Sequence, residues 1–374
     1  MEVPATTCRT GAHGTLPFIA TICKVCKTGR NIPHSARWRG EDVLTPRVKL
    51  ADVAKVVGVS TATVSRVVNG KPGVAEATRT AVLAGLETLG YRIDDPQGTH
   101  EGLIAVMVPE LGNPTFGSFA NELVIQLAAA DRRMVLCTSG PGGTSEDQYL
   151  DLLAGVAVDG LISVSGTAAD TLGTNDHYQR LLAGGMPTVF INAYDATIPG
   201  AFFNTSDAEA ISQSVGHLRR YGHTRIGLAL GQQRYLPAQR KAEAFLALGL
   251  PAESIVSTIF SIEGGQAAAS RLLDAGHTAI VCGSDVMALG AIREVRSRGL
   301  EVPDDISIVG YDDSALMPFT SPALTTVRQP IAALCQAAVE ALLSAMAGAP
   351  ADPAEILFHP DLIIRRSTGP VHDR

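Results

Sequence analysis

A chain of 374 residues, 46% hydrophobic and 18% charged, is long enough for two or three globular domains and too apolar to be a disordered polymer. Its net charge of −7 is unevenly placed: residues 1–46 carry +3 and residues 47–92 carry +4, which leaves −14 for the remainder. A basic module on an acidic body fits a nucleic-acid reader whose other half binds something else, and six scattered cysteines speak against a disulfide framework.

Residues 1–46 have no helical or strand periodicity. Cys23-Lys-Val-Cys26, with Cys8, His13 and His34 nearby, has zinc-ligand spacing, but a second pair of firm spacing is missing. No metal site and no cofactor is expected, and the segment reads as an unstructured extension or a start set too early. It has no long apolar stretch of the signal-peptide kind.

Residues 47–92 read as three short helices. Val53, Ala54 and Val57 share one face of the first, and Gly58 follows where a tight turn needs positive φ. Val59 plugs the corner and Ser60 is a good N-cap for the second helix. There Val64, Val67 and Val68 point inward. Thr61, Ala62, Ser65, Arg66 and Asn69 form a small, polar outer face, suited to a DNA major groove. Arg66 is the candidate for a bidentate contact to guanine. Ser60, Thr63, Ser65 and Asn69 would hold phosphates or flanking bases, and Arg47 and Lys49 sit where the chain meets the DNA backbone. After Lys71-Pro72-Gly73, the residues Val74, Thr78, Val82, Leu86 and Leu89 are spaced for a third helix, ended by Gly90.

Residues 93–101, IDDPQGTHE, form a linker in which Pro96 and Gly98 oppose a helix. Beyond it, apolar runs alternate with helical stretches: 103–108, 134–138, 160–164, 187–191, 225–230, 255–260, 278–282 and 306–310. Runs without polar alternation, separated by helices, predict parallel sheets covered on both faces, with ligands at the carboxyl ends of the strands. The apolar run Ile331–Ala349 is interrupted by Gln336 and Glu340 and reads as a packed helix, not a membrane span, so a cytoplasmic place is expected. His223 and His277 read as structural strand entries. The Gly140–Thr144 loop lacks the lysine of a P-loop and reads as a turn. No G-x-S-x-G, H-E-x-x-H or carboxylate dyad is present, so an enzyme is not expected.

The run DVAKVVGVSTATVSRVVNG resembles the headpiece of the LacI/GalR family of bacterial transcription repressors. The phrases GLISV, YGHTRIG, CGSDVMALGAI, VPDDISIVGYDD, FTSPALTTVRQP and HPDLIIRRS resemble its effector-binding core, so that the likeness spans nearly all of 48–368. The resemblance implies an α/β protein: a three-helix helix-turn-helix headpiece, then two doubly wound parallel-sheet subdomains like a type I periplasmic binding protein. The expected division is 1–46 extension, 47–92 headpiece, 93–101 linker and 102–374 core. Within the core, subdomain 1 takes about 102–201 and 329–355, and subdomain 2 about 202–328 and 356–374, with crossings near 201, 328 and 355. Tyr91 matches a family aromatic that closes the headpiece. The linker departs from the family, since no leucine stands between Leu89 and Leu103 to wedge into the minor groove.

The resemblance also implies a cleft for a small polar effector, a sugar or purine-like molecule. Asp312 matches an effector contact, or else caps its strand. Ser284 and Asp285 match a polar pair before a helix, Asp285 being either the N-cap or a ligand contact. Asn192 matches an amide or acidic contact. Lys241 aligns with a cation of the family, and Arg240 would serve after a one-residue shift. Phe116 and Phe260 match aromatic wall positions, or else belong to the core. The implied protein is a homodimeric repressor that binds a near-palindromic double-stranded operator under effector control. The competing reading is a cytoplasmic sugar-binding protein whose headpiece no longer reads operators.

Overall fold

The computed structural model describes residues 50–68, 73–89, 102–140, 143–154 and 158–372. Arg47, Lys49, Asn69, Lys71, Pro72, Gly90, Tyr91, the linker 93–101 and the Cys23–Cys26 pair lie outside them. The chain divides into two units, Met1–Pro96 and Gln97–Arg374.

The first unit contains α1 (Leu50–Val57), α2 (Thr61–Val68) and α3 (Glu76–Thr88). Gly58 takes φ 73° at the turn, and the Ser60 hydroxyl accepts from the Thr63 N–H at 3.1 Å, the cap expected for α2. Val53, Ala54, Val64, Val67, Val82 and Leu86 bury one small core, against which Val57, Val59 and Val68 lie half-buried. At Gly85 in α3 an added Cβ would overlap Val57 Cγ2, so the two helices meet at a residue that has no side chain.

The second unit holds two six-stranded sheets. The first is built from β1 (Leu103–Val108), β2 (Arg133–Thr138), β3 (Gly160–Val164), β4 (Thr188–Ile191), β5 (Ala201–Thr205) and β11 (Ala354–Phe358), in the order β11-β5-β4-β3-β1-β2. The second is built from β6 (Ile226–Leu230), β7 (Ile255–Ser257), β8 (Ala279–Cys282), β9 (Ser307–Asp312), β10 (Thr325–Arg328) and β12 (Asp361–Ile363), in the order β12-β10-β9-β8-β6-β7. Every pairing is parallel except β10 with β12. Each sheet buries a core on both faces, as continuous apolar strands require.

Helices α4 (Pro114–Ala129), α5 (Glu146–Ala154), α6 (Asp176–Ala183), α7 (Asp207–Arg220), α8 (Leu236–Ala247), α9 (Ile262–Asp274), α10 (Asp285–Ser297) and α11 (Ile331–Met346) connect the strands. The run at 331–349 is the packed helix α11, with Leu334, Ala338 and Leu342 buried against the first sheet. Among the described residues no helix is long and apolar enough to cross a membrane.

The chain passes between the sheets three times: at Ser206, at Gln329–Pro330 and at His359–Pro360. The resemblance puts these crossings near 201, 328 and 355. The first and last lie five and four residues further on, because β5 and β11 pair with each other and complete the first sheet before the chain leaves it. The run 255–260 yields only the three-residue edge strand β7. After it the Thr258 N–H still reaches Leu230 O at 2.8 Å, but the chain then turns to lay Phe260 over Gly231.

His223 and His277 are strand entries as expected. The His223 ring bonds Thr278, Ser307 and the Gly369 carbonyl, and the His277 ring bonds Leu272 O and Ser254.

Candidate functional site

The headpiece presents α2 with Thr61, Ala62 and Arg66 exposed and Thr63 and Ser65 half-buried, while Val64 and Val67 hold it from behind. Small residues at the first turn let a helix approach base edges closely, and a guanidinium one turn later can span two acceptors of guanine. The Ser60 hydroxyl lies within 2.9 Å of Thr63 Oγ1 as well as capping Thr63 N, so it is already engaged within the turn.

In the second unit a cleft of about 620 Å³ opens between the carboxyl ends of the two sheets. One wall is the N-terminus of α4, where the Asn113 side chain accepts from Thr115 N at 3.2 Å and Pro114 begins the helix. That start brings Thr115 and Phe116 to the cleft. A second wall is made by Ser165, Gly166 and Ala169. There the buried Glu146 carboxylate accepts from Thr167 N (2.9 Å), Thr167 Oγ1 (2.8 Å) and the Tyr178 hydroxyl. Gly166 has φ 65° and lies against Glu146, where a Cβ would overlap the carboxylate. Across the cleft, the Phe260 ring rests on Gly231, a position where any Cβ would collide with it.

The centre of the site is a hydrogen-bonded chain that joins the sheets. Asp312 ends β9 with φ 117°, and its Oδ1 accepts from Gln329 Nε2 at 2.7 Å. Gln329 Oε1 accepts from Asn192 Nδ2 (2.9 Å) and Thr205 Oγ1 (3.0 Å). Asn192 leaves the end of β4 with φ 53°. A strand-end residue of each sheet is thus tied to one glutamine on the middle crossing. Burial, and then the neighbouring Asp285 charge, hold the Asp312 carboxyl well above the usual carboxylate range. Beside it Lys241 is buried, paired with Asp207, with Nζ 3.8 Å from the centre of the Tyr311 ring. Burial raises the Asp207 pKa even though Lys241 opposes the shift.

Six of the eight residues expected at the cleft line it: Phe116, Asn192, Lys241, Phe260, Ser284 and Asp312. Arg240 does not. One step round α8 from Lys241, it forms a two-pronged ion pair with Glu355 on β11. Asp285 does not line the cleft either, and it is not the N-cap. Ser284 caps α10, accepting from Met287 N at 3.3 Å. Fully buried Asp285 accepts from Ser314 N (2.7 Å) and Thr326 Oγ1 (2.6 Å), lying where a side chain on Gly310 would be. Its task is to pin the turn after Asp312, and burial pushes its carboxyl up to about 6.

Sequence reasoning missed Asp207, Gln329, Thr115 and Tyr311. Ser206-Asp207 at a helix start was a local signal for the first. Gln329 stood in the phrase VRQP with no role attached. The groups facing the cleft are hydrogen-bonding and stacking groups, which equips it to hold a ligand.

The description "Bacterial regulatory proteins, lacI family" matches residues 49–94, and "Periplasmic binding protein-like domain" matches residues 215–368. The HTH-type transcriptional regulator MalR of Streptomyces coelicolor is 47% identical over 332 residues, covering 86% of this chain and 96% of that protein. The lac repressor dimer bound to operator and the anti-inducer ONPF is similar in structure, with TM-score 0.68, 27% identity, and coverage of 86% of this chain and 99% of that one. The complex of the transcriptional regulator CelR with cellobiose is similar too, with TM-score 0.64, 28% identity, and coverage of 86% and 100%. These relatives are regulators, which goes against the reading of a headpiece that has lost its operators. The chain belongs to the LacI family: it is a helix-turn-helix transcriptional regulator with an effector-binding core of the periplasmic-binding-protein type.

Proposed function

We propose that α2 reads one operator half-site through Thr61, Ala62 and Arg66, and that a homodimer sets two such helices on a near-palindrome. Ser60, Thr63 and Ser65, with Asn69 and Lys49 outside the described residues, contact phosphates or flanking bases. Phe116, Asn192, Lys241, Phe260, Ser284 and Asp312 hold the effector. Its binding alters the relation of the two sheets and through it operator affinity, by roughly 1–3 kcal/mol of coupling. The protein acts as a repressor in the cytoplasm, by binding and not by catalysis. The domain division is that of the sequence, with the first and last crossings moved to Ser206 and His359–Pro360.

The observation that carries the reading is the exposed Thr61-Ala62-Arg66 surface on a helix backed by buried valines. The test is retention of the protein's own upstream DNA over a salt series, with binding-site selection on Arg66→Ala. Specific retention is expected, and the variant loses preference at one base pair, a cost of roughly 1–3 kcal/mol there. Unchanged preference in the variant removes Arg66 from the base-reading role.

A further inference from the structure

Two turns from different sheets meet at the rim of the cleft. The first follows β3: the short turn Gly166–Ala169 ends at Asp170, with Thr171 next to it. The second follows β6 and carries Arg234 and Tyr235 into α8. Their backbones pair in one antiparallel bridge, Asp170 opposite Tyr235. The Thr171 N–H and hydroxyl both donate to the Arg234 carbonyl at 2.8 Å. The Arg234 guanidinium returns a two-pronged bond to the Asp170 carboxylate, Nε to Oδ1 at 2.9 Å and Nη2 to Oδ2.

Each half is set up by its own neighbours. Asp170 Oδ1 also accepts from Leu172 N at 3.0 Å, and the Arg234 guanidinium carbon lies 5.8 Å from the centre of the Tyr235 ring. Halves arranged in advance lose little freedom on meeting. The same two turns supply Ser165, Gly166 and Ala169 to one wall of the cleft and Gln232 and Tyr235 to the other, so parting the turns parts the walls.

Position gives these contacts leverage. The chain crosses between the sheets beyond β5, β10 and β11. β3 stands two strands from β5, and β6 stands three strands from β10. At about 4.8 Å per strand, the bridge lies roughly 10–14 Å from the crossings. A rotation of about 10° around them separates the turns by roughly 2 Å, enough to break a hydrogen bond. Gln329 lies on a crossing, so its bonds to Asn192 and Asp312 move far less. The rim contacts are therefore the first to give. Because the Arg234 side chain is exposed, its ion pair is modest and is screened by salt. A contact of that strength can hold a closed state and still release it.

We infer that Asp170, Thr171 and Arg234 form a clasp that shuts the mouth of the cleft through the protein's own contacts. Every bond of the clasp runs directly from one subdomain to the other, so closure needs no bridging ligand. The core rests closed, and a ligand enters in the intervals when the clasp is open.

The test uses the full-length protein with no ligand added and reads two quantities. The first is hydrogen exchange at the Thr171 amide, which donates across the rim. The second is the distance distribution between nitroxides attached through ketone-bearing residues at exposed Leu152 on α5 and Leu246 on α8, in mixed dimers with excess unlabelled chain. The wild type is expected to give one narrow distribution and a protected Thr171 amide. Arg234→Ala removes the guanidinium and leaves the carbonyl that Thr171 uses. It is expected to speed exchange at Thr171 about tenfold and to broaden the distribution toward longer distances, and Asp170→Asn is expected to do the same. Raising salt to about 1 M moves the wild type in the same direction with no substitution, speeding that exchange about threefold. A broad distribution in the wild type at low salt overturns the inference. So does a variant that loosens the Thr171 amide while the distance stays put, which marks a local turn contact only, and so does no change in either quantity in the variants and in salt.

Discussion

Arg240 and Lys241 are neighbours in sequence, yet their side chains do different work. Consecutive residues of a helix point about 100° apart, so only one of them can face the cleft. The resemblance left the choice open, with Lys241 at the family's cation and Arg240 one residue away, and Lys241 is the one that lines the cleft. The fate of Arg240 was not legible, because its partner Glu355 lies 115 residues away. Arg240→Ala is therefore expected to leave effector affinity within about twofold, and to lower unfolding free energy by about 1–2 kcal/mol in a urea melt, a value between exposed and buried ion pairs. Asp312→Asn is expected to behave the opposite way, losing about tenfold in affinity, or about 1.4 kcal/mol, with a smaller change in the melt.

At the scale of the element, the turn between α1 and α2 was readable because its determinants are local. A residue able to hold φ 73° stands at Gly58, and a hydroxyl cap stands at Ser60. The close approach of α1 and α3 was not readable, since nothing near Gly85 in sequence announces that Val57 will lie over it. Val57 is β-branched and stiff in a helix, so it cannot move aside cheaply. Gly85→Ala is expected to destabilise the headpiece by about 1–3 kcal/mol, as overpacking does. Operator affinity should fall, while effector binding by the core, measured by calorimetric titration, is unchanged. Among the strands, the eight apolar runs all became strands, but β5, β10, β11 and β12 were overlooked. β11 has no buried residue and is paired along one edge only, and its apolar run, Ile356-Leu357-Phe358, is too short to mark a strand.

At the scale of the whole core, ion pairs join the two sheets on either side of the cleft: Asp170 with Arg234, and Glu355 with Arg240. Thr171 adds two hydrogen bonds to the Arg234 carbonyl, both 2.8 Å. Beneath the second sheet, His217 and His223 secure the chain's C-terminal segment through Thr368 and Gly369. Burial lowers the pKa of both from 6.5, reinforced at His217 by the charges of Arg220 and His223 and opposed at His223 by the Gly369 carbonyl. A histidine whose folded pKa is depressed takes up its proton first in the unfolded chain. The stability it contributes is therefore complete above about 6.5 and declines as pH falls below that value. Buried Asp285 and Asp312, with raised pKa values, change stability in the opposite sense, so a single melt series mixes the two effects. The difference between the wild type and His223→Gln separates them. That difference is expected to shrink from pH 7.5 to pH 5.5, and a constant difference would show that His223 does not titrate with unfolding.

The order of residues alone determined the alternation of apolar strands with helices and the two helices of the DNA reader. These follow from periodicity and turn chemistry, which act over a few neighbours in the chain, whereas the cleft residues were named only through the family resemblance. Tertiary structure alone decided that Gln329 would link Asn192 to Asp312, that Asp207 would neutralise Lys241, and that Arg240 and Asp285 would serve the scaffold. Each of those outcomes is a competition for a partner among buried charges and amides. The winner is set by which distant strands and helices the crossings bring together.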